Sequence, residues 1–275
     1  MLGRRKRAEK PAARRYRGKL IFEDSDKMGL MEVVDDLDHR SLHFGSREKQ
    51  SSMSLTSHHQ LILSYTQAMM AGLLFMDRPK SVLNVGLGGG SIPKFFLYHY
   101  PDCSVDVVEI REKVVDLAHT YFHLPQERRL NIFISDVKEY FRTIKTKLYD
   151  IIVLDVFDKE GMSDSVRGFS FMSTCKSRLK ENGVLIINLW SEPEQVYKKM
   201  VYNIFKCFKS QAMILPVADR SNHIVIGINQ TGINFQDHLL REKSHHLEQI
   251  FKIGMADLFS SLCSCNKRLF MGSNH

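Results

Sequence analysis

Residues 81–91 read SVLNVGLGGGS, and the loop at their centre sets the pattern for what lies on either side. Residues 82–85 form a short apolar run of strand type. Gly86, Gly88 and Gly90 then come at every second position, before residues that suit a helix. Glycine lacks a Cβ, so such a loop turns sharply and its backbone N–H groups can lie against a ligand at the start of the helix. Alone, a glycine-rich loop says little. Placed between a strand and a helix, with Glu109 closing the next strand, it points to nucleotide binding. Glu109 has the two oxygens needed to accept from both hydroxyls of a ribose. Position 91 is serine where a dinucleotide fingerprint takes glycine or alanine, which disfavours NAD and favours an adenosyl ligand without a pyrophosphate.

The same unit repeats outward from this loop. Residues 105–108, 132–134 and 151–154 are further β-rich runs with helical segments between them, and a fifth run, 184–189, follows Gly183. This alternation predicts an α/β fold, Rossmann-like, with a mostly parallel sheet. Parallel strands point one way, so Gly86, Glu109, Asp136 and Asp155 fall on one carboxyl edge, where open α/β sheets bind ligands. Asp155 and Asp158 stand three residues apart in YDIIVLDVFDKEG, and an acid beside four buried aliphatics suits a site better than a core. Asp136 has two readings, a contact to an adenine amino group and a cap for the helix after it. A helix over 194–208 precedes two strands, 212–217 and 224–228, whose short polar connection reads as an antiparallel hairpin closing the sheet.

At the N-terminal end, clustered residues in 20–22, 31–36 and 41–44 predict a small β-hairpin lobe. Leu61, Ile62, Tyr65, Met69 and Leu73 then predict a helix over 57–76 capped by Ser57. Residues 235–262 read as helical. The expected division is a basic disordered tail over 1–19, the β lobe over 20–56, the Rossmann-like unit over 57–230 and a helical segment over 231–275.

The net charge of +8 belongs to the tail. Residues 1–19 hold nine of the 39 basic residues and one of the 31 acids, and the remainder is neutral. A solvated tail explains this, and charge also allows it to touch an anionic partner such as RNA, lipid or protein. The tail lacks the apolar stretch of a secretory signal. The longest apolar run, residues 68–76, is far short of the roughly 18 a membrane helix needs. Five cysteines without a signal peptide fit a reducing cytoplasm. Cys263 and Cys265, with only His275 nearby, are too few ligands for zinc, so no metal site is expected. His58, His59, His245 and His246 show no ligand spacing, and Trp190 suits a pocket wall or a core equally.

Over roughly residues 20–229 the chain resembles the spermidine and spermine synthases, the polyamine aminopropyltransferases. That family reads VLIIGGGDGG, VEID, GD and YDVIIVDSSDP where this chain reads VLNVGLGGGS, VVEI, SD and YDIIVLDVFD. The loop GLGGG and the D-x-F-D motif look most like a bacterial spermidine synthase-like branch. The resemblance implies a class I methyltransferase-type fold, a homodimer, and transfer of an aminopropyl group from decarboxylated S-adenosylmethionine to a di- or polyamine. It implies that Glu109 holds the ribose, Asp136 the adenine, Gln50 the cosubstrate and Tyr65 the amine substrate. Asp155 becomes the catalytic base and Asp158 a second carboxylate on the amine.

Departures accompany the matches. Ser91 is read as replacing the family's loop aspartate, Tyr65-Thr66-Gln67 stands for a Tyr-x-Glu run, and Lys159 replaces a proline. Two other functions share the fold: methyl transfer from intact S-adenosylmethionine, and a catalytically silent nucleoside-binding or scaffold protein.

Overall fold

The computed structural model describes residues 16–156, 164–218, 221–230 and 236–270. Four strands form an antiparallel N-terminal sheet in sequential order: β1 (Lys19–Asp26), β2 (Gly29–Asp36), β3 (His39–His43) and β4 (Ser51–Ser54). Gly29, at φ 112°, lets the chain turn from β1 into β2. The fourth strand lies within the expected lobe but was not among the strand runs read from the sequence. Its sequence, SSMS, has little strand propensity, and its pairing with β3 buries it. Residues 1–15 of the expected tail lie outside the described residues. Tyr16 already donates to the Glu32 carboxylate at 2.6 Å, and Lys19 opens β1.

The second sheet has seven strands: β5 (Ser81–Val85), β6 (Ser104–Glu109), β7 (Leu130–Ile134), β8 (Tyr149–Leu154), β9 (Leu179–Trp190), β10 (Ala212–Pro216) and β11 (Asn222–Ile228). Their order is β10-β11-β9-β8-β5-β6-β7. The first five in the chain pair in parallel. The expected hairpin is present, with β11 antiparallel to both β9 and β10, so its second strand docks on the sheet and its first forms the edge. Strand order reverses at β5, which has β6 on one side and β8 on the other. A crevice opens there, above the carboxyl ends of the strands.

Strands buried on both faces need apolar residues at successive positions, as β8 and β9 have, whereas β7 at the edge has no buried residue. Val82, Val153, Ile186 and Ile226 point into one core with Met69, Phe96 and Phe259. Leu83, Ile152, Leu185 and Ile187 point into the other with Tyr140, Phe171 and Ile204. The covering helices are α1 (Ser64–Met69), α2 (Ser91–His99), α3 (Glu112–Tyr121), α4 (Val137–Thr143), α5 (Asp164–Arg167), α6 (Phe169–Ser177), α7 (Glu194–Phe208), α8 (Asp237–Phe251), α9 (Met255–Cys265) and α10 (Lys267–Phe270). Among the described residues no helix is long and apolar enough to cross a membrane.

The helix expected over 57–76 begins later, at Ser64, and tightens into a 3₁₀ segment, Met70–Phe75. Leu61 and Leu63 are buried with Ile62 less so, a two-residue alternation belonging to extended chain. Ser57 caps nothing; its backbone N–H donates to Ser54 Oγ. The C-terminal helical stretch is broken after Phe251, where Lys252 takes a left-handed conformation at φ 57°.

Candidate functional site

Gly86 follows β5 at φ 88°, and its N–H donates to the Val108 carbonyl at 2.8 Å. A Cβ there would stand 2.1 Å from the Asp155 carbonyl oxygen, so glycine is what allows the loop to lie against the end of β8. Gly86 and Gly88 line a cavity of about 390 Å³ at the crevice. Gly90 is absent from its lining. In left-handed conformation at φ 69°, it serves as the residue preceding α2 and packs toward Leu124.

Glu109 ends β6, 8% exposed, and lines the cavity. Its Oε2 accepts the Leu87 N–H and its Oε1 the Arg111 N–H, each at 2.9 Å. Burial pushes its pKa up, against the pull of these backbone donors. Each carboxylate oxygen retains acceptor capacity for a ligand hydroxyl. The Arg111 guanidinium reaches out of the sheet to Asp26 at the end of β1, at 2.8 Å, and lies 4.7 Å over the Phe44 ring. This pair fastens the N-terminal sheet over the crevice, and Met28, Phe44 and Gln50 complete the wall.

Asp136 also lines the cavity, and its Oδ1 accepts the Lys138 N–H at 2.8 Å. The capping reading is therefore realised, at a position on the cavity rim. Asp155 follows β8. Asn188 Nδ2 donates to its Oδ1 at 3.0 Å, and the Tyr65 hydroxyl stands 3.2 Å from its Oδ2. Burial pushes the Asp155 carboxyl above its ordinary range, and the hydrogen bonds from Asn188 and Tyr65 oppose this. The Tyr65 oxygen is also 3.2 Å from the Gln50 carbonyl, so its one proton serves one acceptor at a time. Tyr65, Gln50 and Asp155 share the cavity with Glu109 and Asp136. Asp158 lies outside the described residues.

Two asparagines escaped the reading of the sequence. Asn188, on β9, and Asn222, opening β11, line the cavity beside Asp155, and Asn222 Nδ2 donates to Asn188 Oδ1 at 2.9 Å. The available signal was an asparagine in the otherwise apolar run VLIINLW, where strands disfavour it. Trp190 is half-buried on the wall. Gln67 is turned away, its amide donating to the Leu61 carbonyl at 2.8 Å. Among the described residues no three His, Cys, Asp or Glu side chains are grouped to hold a metal, and all five cysteines are free thiols.

Aligned from Val82, the family's VLIIGGGDGG puts its aspartate against Gly89 and its last glycine against Ser91. A Cβ on Gly89 would meet the Phe122 ring at 2.7 Å and Ser51 Oγ at 2.8 Å. The space for a side chain is filled. Ser91 opens α2 with its hydroxyl 3.2 Å from that of Ser51.

A parallel sheet with a reversed terminal hairpin, a glycine loop after its first strand and an acid closing its second define an α/β protein of class I methyltransferase type. Residues 63–221 match the spermine/spermidine synthase domain. Over 244 residues the chain is 32% identical to a polyamine aminopropyltransferase of Chromobacterium violaceum, covering 88% of this chain and 93% of the relative. The chain belongs to the spermine/spermidine synthase family. Among solved structures, human methyltransferase-like protein 13 in complex with SAH superposes with a TM-score of 0.65 at 26% identity, over 70% of this chain and 93% of that one. A spermidine synthase in complex with the transition state analogue AdoDATO shares the fold, with a TM-score of 0.70 at 17% identity over 92% and 88%.

Proposed function

We propose that the protein is an aminopropyltransferase that moves the aminopropyl group of decarboxylated S-adenosylmethionine to a di- or polyamine. The observation that carries this reading is the Asp155 carboxylate, held by Asn188 and Tyr65 in the same cavity as Gly86, Gly88 and Glu109. The family of the chain and its full-length relative support it. In this reading Glu109 accepts the ribose hydroxyls, Asp136 receives the adenine amino group, and the glycine loop lies along the adenosyl moiety. The sulfonium supplies an activated carbon and a thioether leaving group that needs no acid. Asp155 meets the remaining obstacle. A primary amine with a pKa of about 10.4 is almost wholly protonated at neutral pH. Asp155 orients the amine and takes the proton that frees its lone pair, after which the N–C bond forms as the C–S bond breaks, with Tyr65 and Asp158 holding the amine substrate.

The test is to incubate the protein with decarboxylated S-adenosylmethionine and a series of di- and polyamines, following methylthioadenosine and the extended amine by mass spectrometry. Asp155→Asn lowers turnover by about 10²- to 10⁴-fold while methylthioadenosine still binds. Unchanged turnover removes Asp155 from the mechanism.

Methyl transfer from intact S-adenosylmethionine is the second reading. One observation favours it: the filled space at Gly89 leaves the loop without the carboxylate that pairs with an aminopropyl cation in the family. S-adenosylhomocysteine as the product, in place of methylthioadenosine, establishes it. A homodimer, a reducing cytoplasmic setting and contact of the basic tail with an anionic partner complete the proposal. They rest on the family, the five free thiols and the charge of residues 1–19.

A further inference from the structure

We propose that Asn222 is a positioning residue for Asp155, acting through the amide of Asn188. A primary amide has a donor end and an acceptor end, and which way it points is set by its neighbours. Asn188 is 2% exposed and Asn222 8% exposed, so water does little to orient either. The Asn222 Nδ2 donor, 2.9 Å from Asn188 Oδ1, claims the acceptor end of Asn188. The donor end is thereby turned to Asp155 Oδ1, 3.0 Å away. Reversed, Asn188 would put a carbonyl oxygen against a carboxylate. Antiparallel pairing of β9 and β11 fixes the two side chains, since Asn188 is opposite Ile224 and Asn222 is two residues along, a diagonal neighbour on the same face.

The consequence falls on the carboxylate. Burial pushes Asp155 toward its protonated form, and hydrogen bonds from Asn188 on β9 and Tyr65 on α1 oppose this by favouring the ionised form. Among the described residues the charged side chains sharing its cavity are Glu48, Lys49, Glu109, Arg111 and Asp136. Hydrogen-bond donation keeps an acid in its basic form, so loss of the Asn222 bond raises the Asp155 pKa although Asn222 makes no bond to Asp155.

This inference rests on Asp155 being the base, yet its test needs no turnover. Asp155 is titrated by ¹³C NMR in the ligand-free full chain labelled at aspartate carboxyls, its signal assigned by its loss in Asp155→Asn. Asn222→Leu, similar in volume and without a donor, raises the Asp155 pKa by about one unit. Asn188→Leu raises it at least as far. In the Asn188→Leu background, Asn222→Leu adds nothing, because the two act in series. Asn222→Ser, which keeps a donor, recovers part of the shift. An Asp155 pKa unmoved by Asn222→Leu overturns the proposal, as does a shift that persists once Asn188 is already leucine. Absence of aminopropyl transfer by the native protein would instead strike the proposed function and leave the titration result standing.

Discussion

At the residue scale, the site places ionisable groups where folding alone would avoid them. Asp155 is held above its ordinary pKa of 3.8 by burial, so the folded chain binds that proton more tightly than the unfolded one. The stability associated with it is present below the unfolded pKa and is lost as pH rises through the folded value. Asp155→Asn carries no charge to desolvate. The difference in Tm, variant minus native, is therefore more positive at pH 7 than at pH 3, and thermal unfolding at the two values checks this. A difference that is the same at both contradicts the burial argument. Gly86, Glu109 and Asp155 were legible because each sits directly after an apolar strand run, a local signal. Asn188 and Asn222 were not. Their role depends on which strand lies beside which, and β9 meets β11 only after a helix and an edge strand have intervened.

At the element scale, the segment from α1 into the 3₁₀ turn sets the height of Tyr65 above Asp155. Gly72 lies close against the sheet, since a Cβ on it would stand 2.4 Å from Ile186 Cδ1. Gly72→Ala overpacks this seam. It costs about 1–3 kcal/mol in denaturant unfolding and lowers turnover by lifting Tyr65 from the carboxylate. Stability and turnover equal to those of the native chain would show that the seam absorbs the methyl group. The helix here was misplaced by its start because Leu61 and Ile62, which lie in extended chain, stand by chance at helical spacing from Tyr65 and Met69. β4 was illegible for a different reason. Ser51–Ser54 has no apolar alternation, and only the hydrogen bonds to β3 make it a strand.

For the whole molecule, the two sheets divide the work. The seven-stranded sheet brings the glycine loop, Glu109, Asp136 and Asp155 to one edge, and the N-terminal sheet closes that edge through Arg111, Asp26 and Phe44. The parallel core was legible because strands buried on both faces leave continuous apolar runs, such as 151–154 and 184–187. The closing lobe was read only as a hairpin, since its fourth strand carries no apolar alternation and its tie to Arg111 joins residues 85 positions apart in the chain. Calorimetric titration with methylthioadenosine, decarboxylated S-adenosylmethionine and S-adenosylmethionine, into the native protein and Glu109→Gln, tests most directly whether this edge holds an adenosyl ligand. The native protein binds methylthioadenosine and prefers the decarboxylated sulfonium to the intact one, and Glu109→Gln weakens each by about 10- to 100-fold through lost charge-assisted hydrogen bonds. No binding of any of the three, or equal affinity in the variant, contradicts the account.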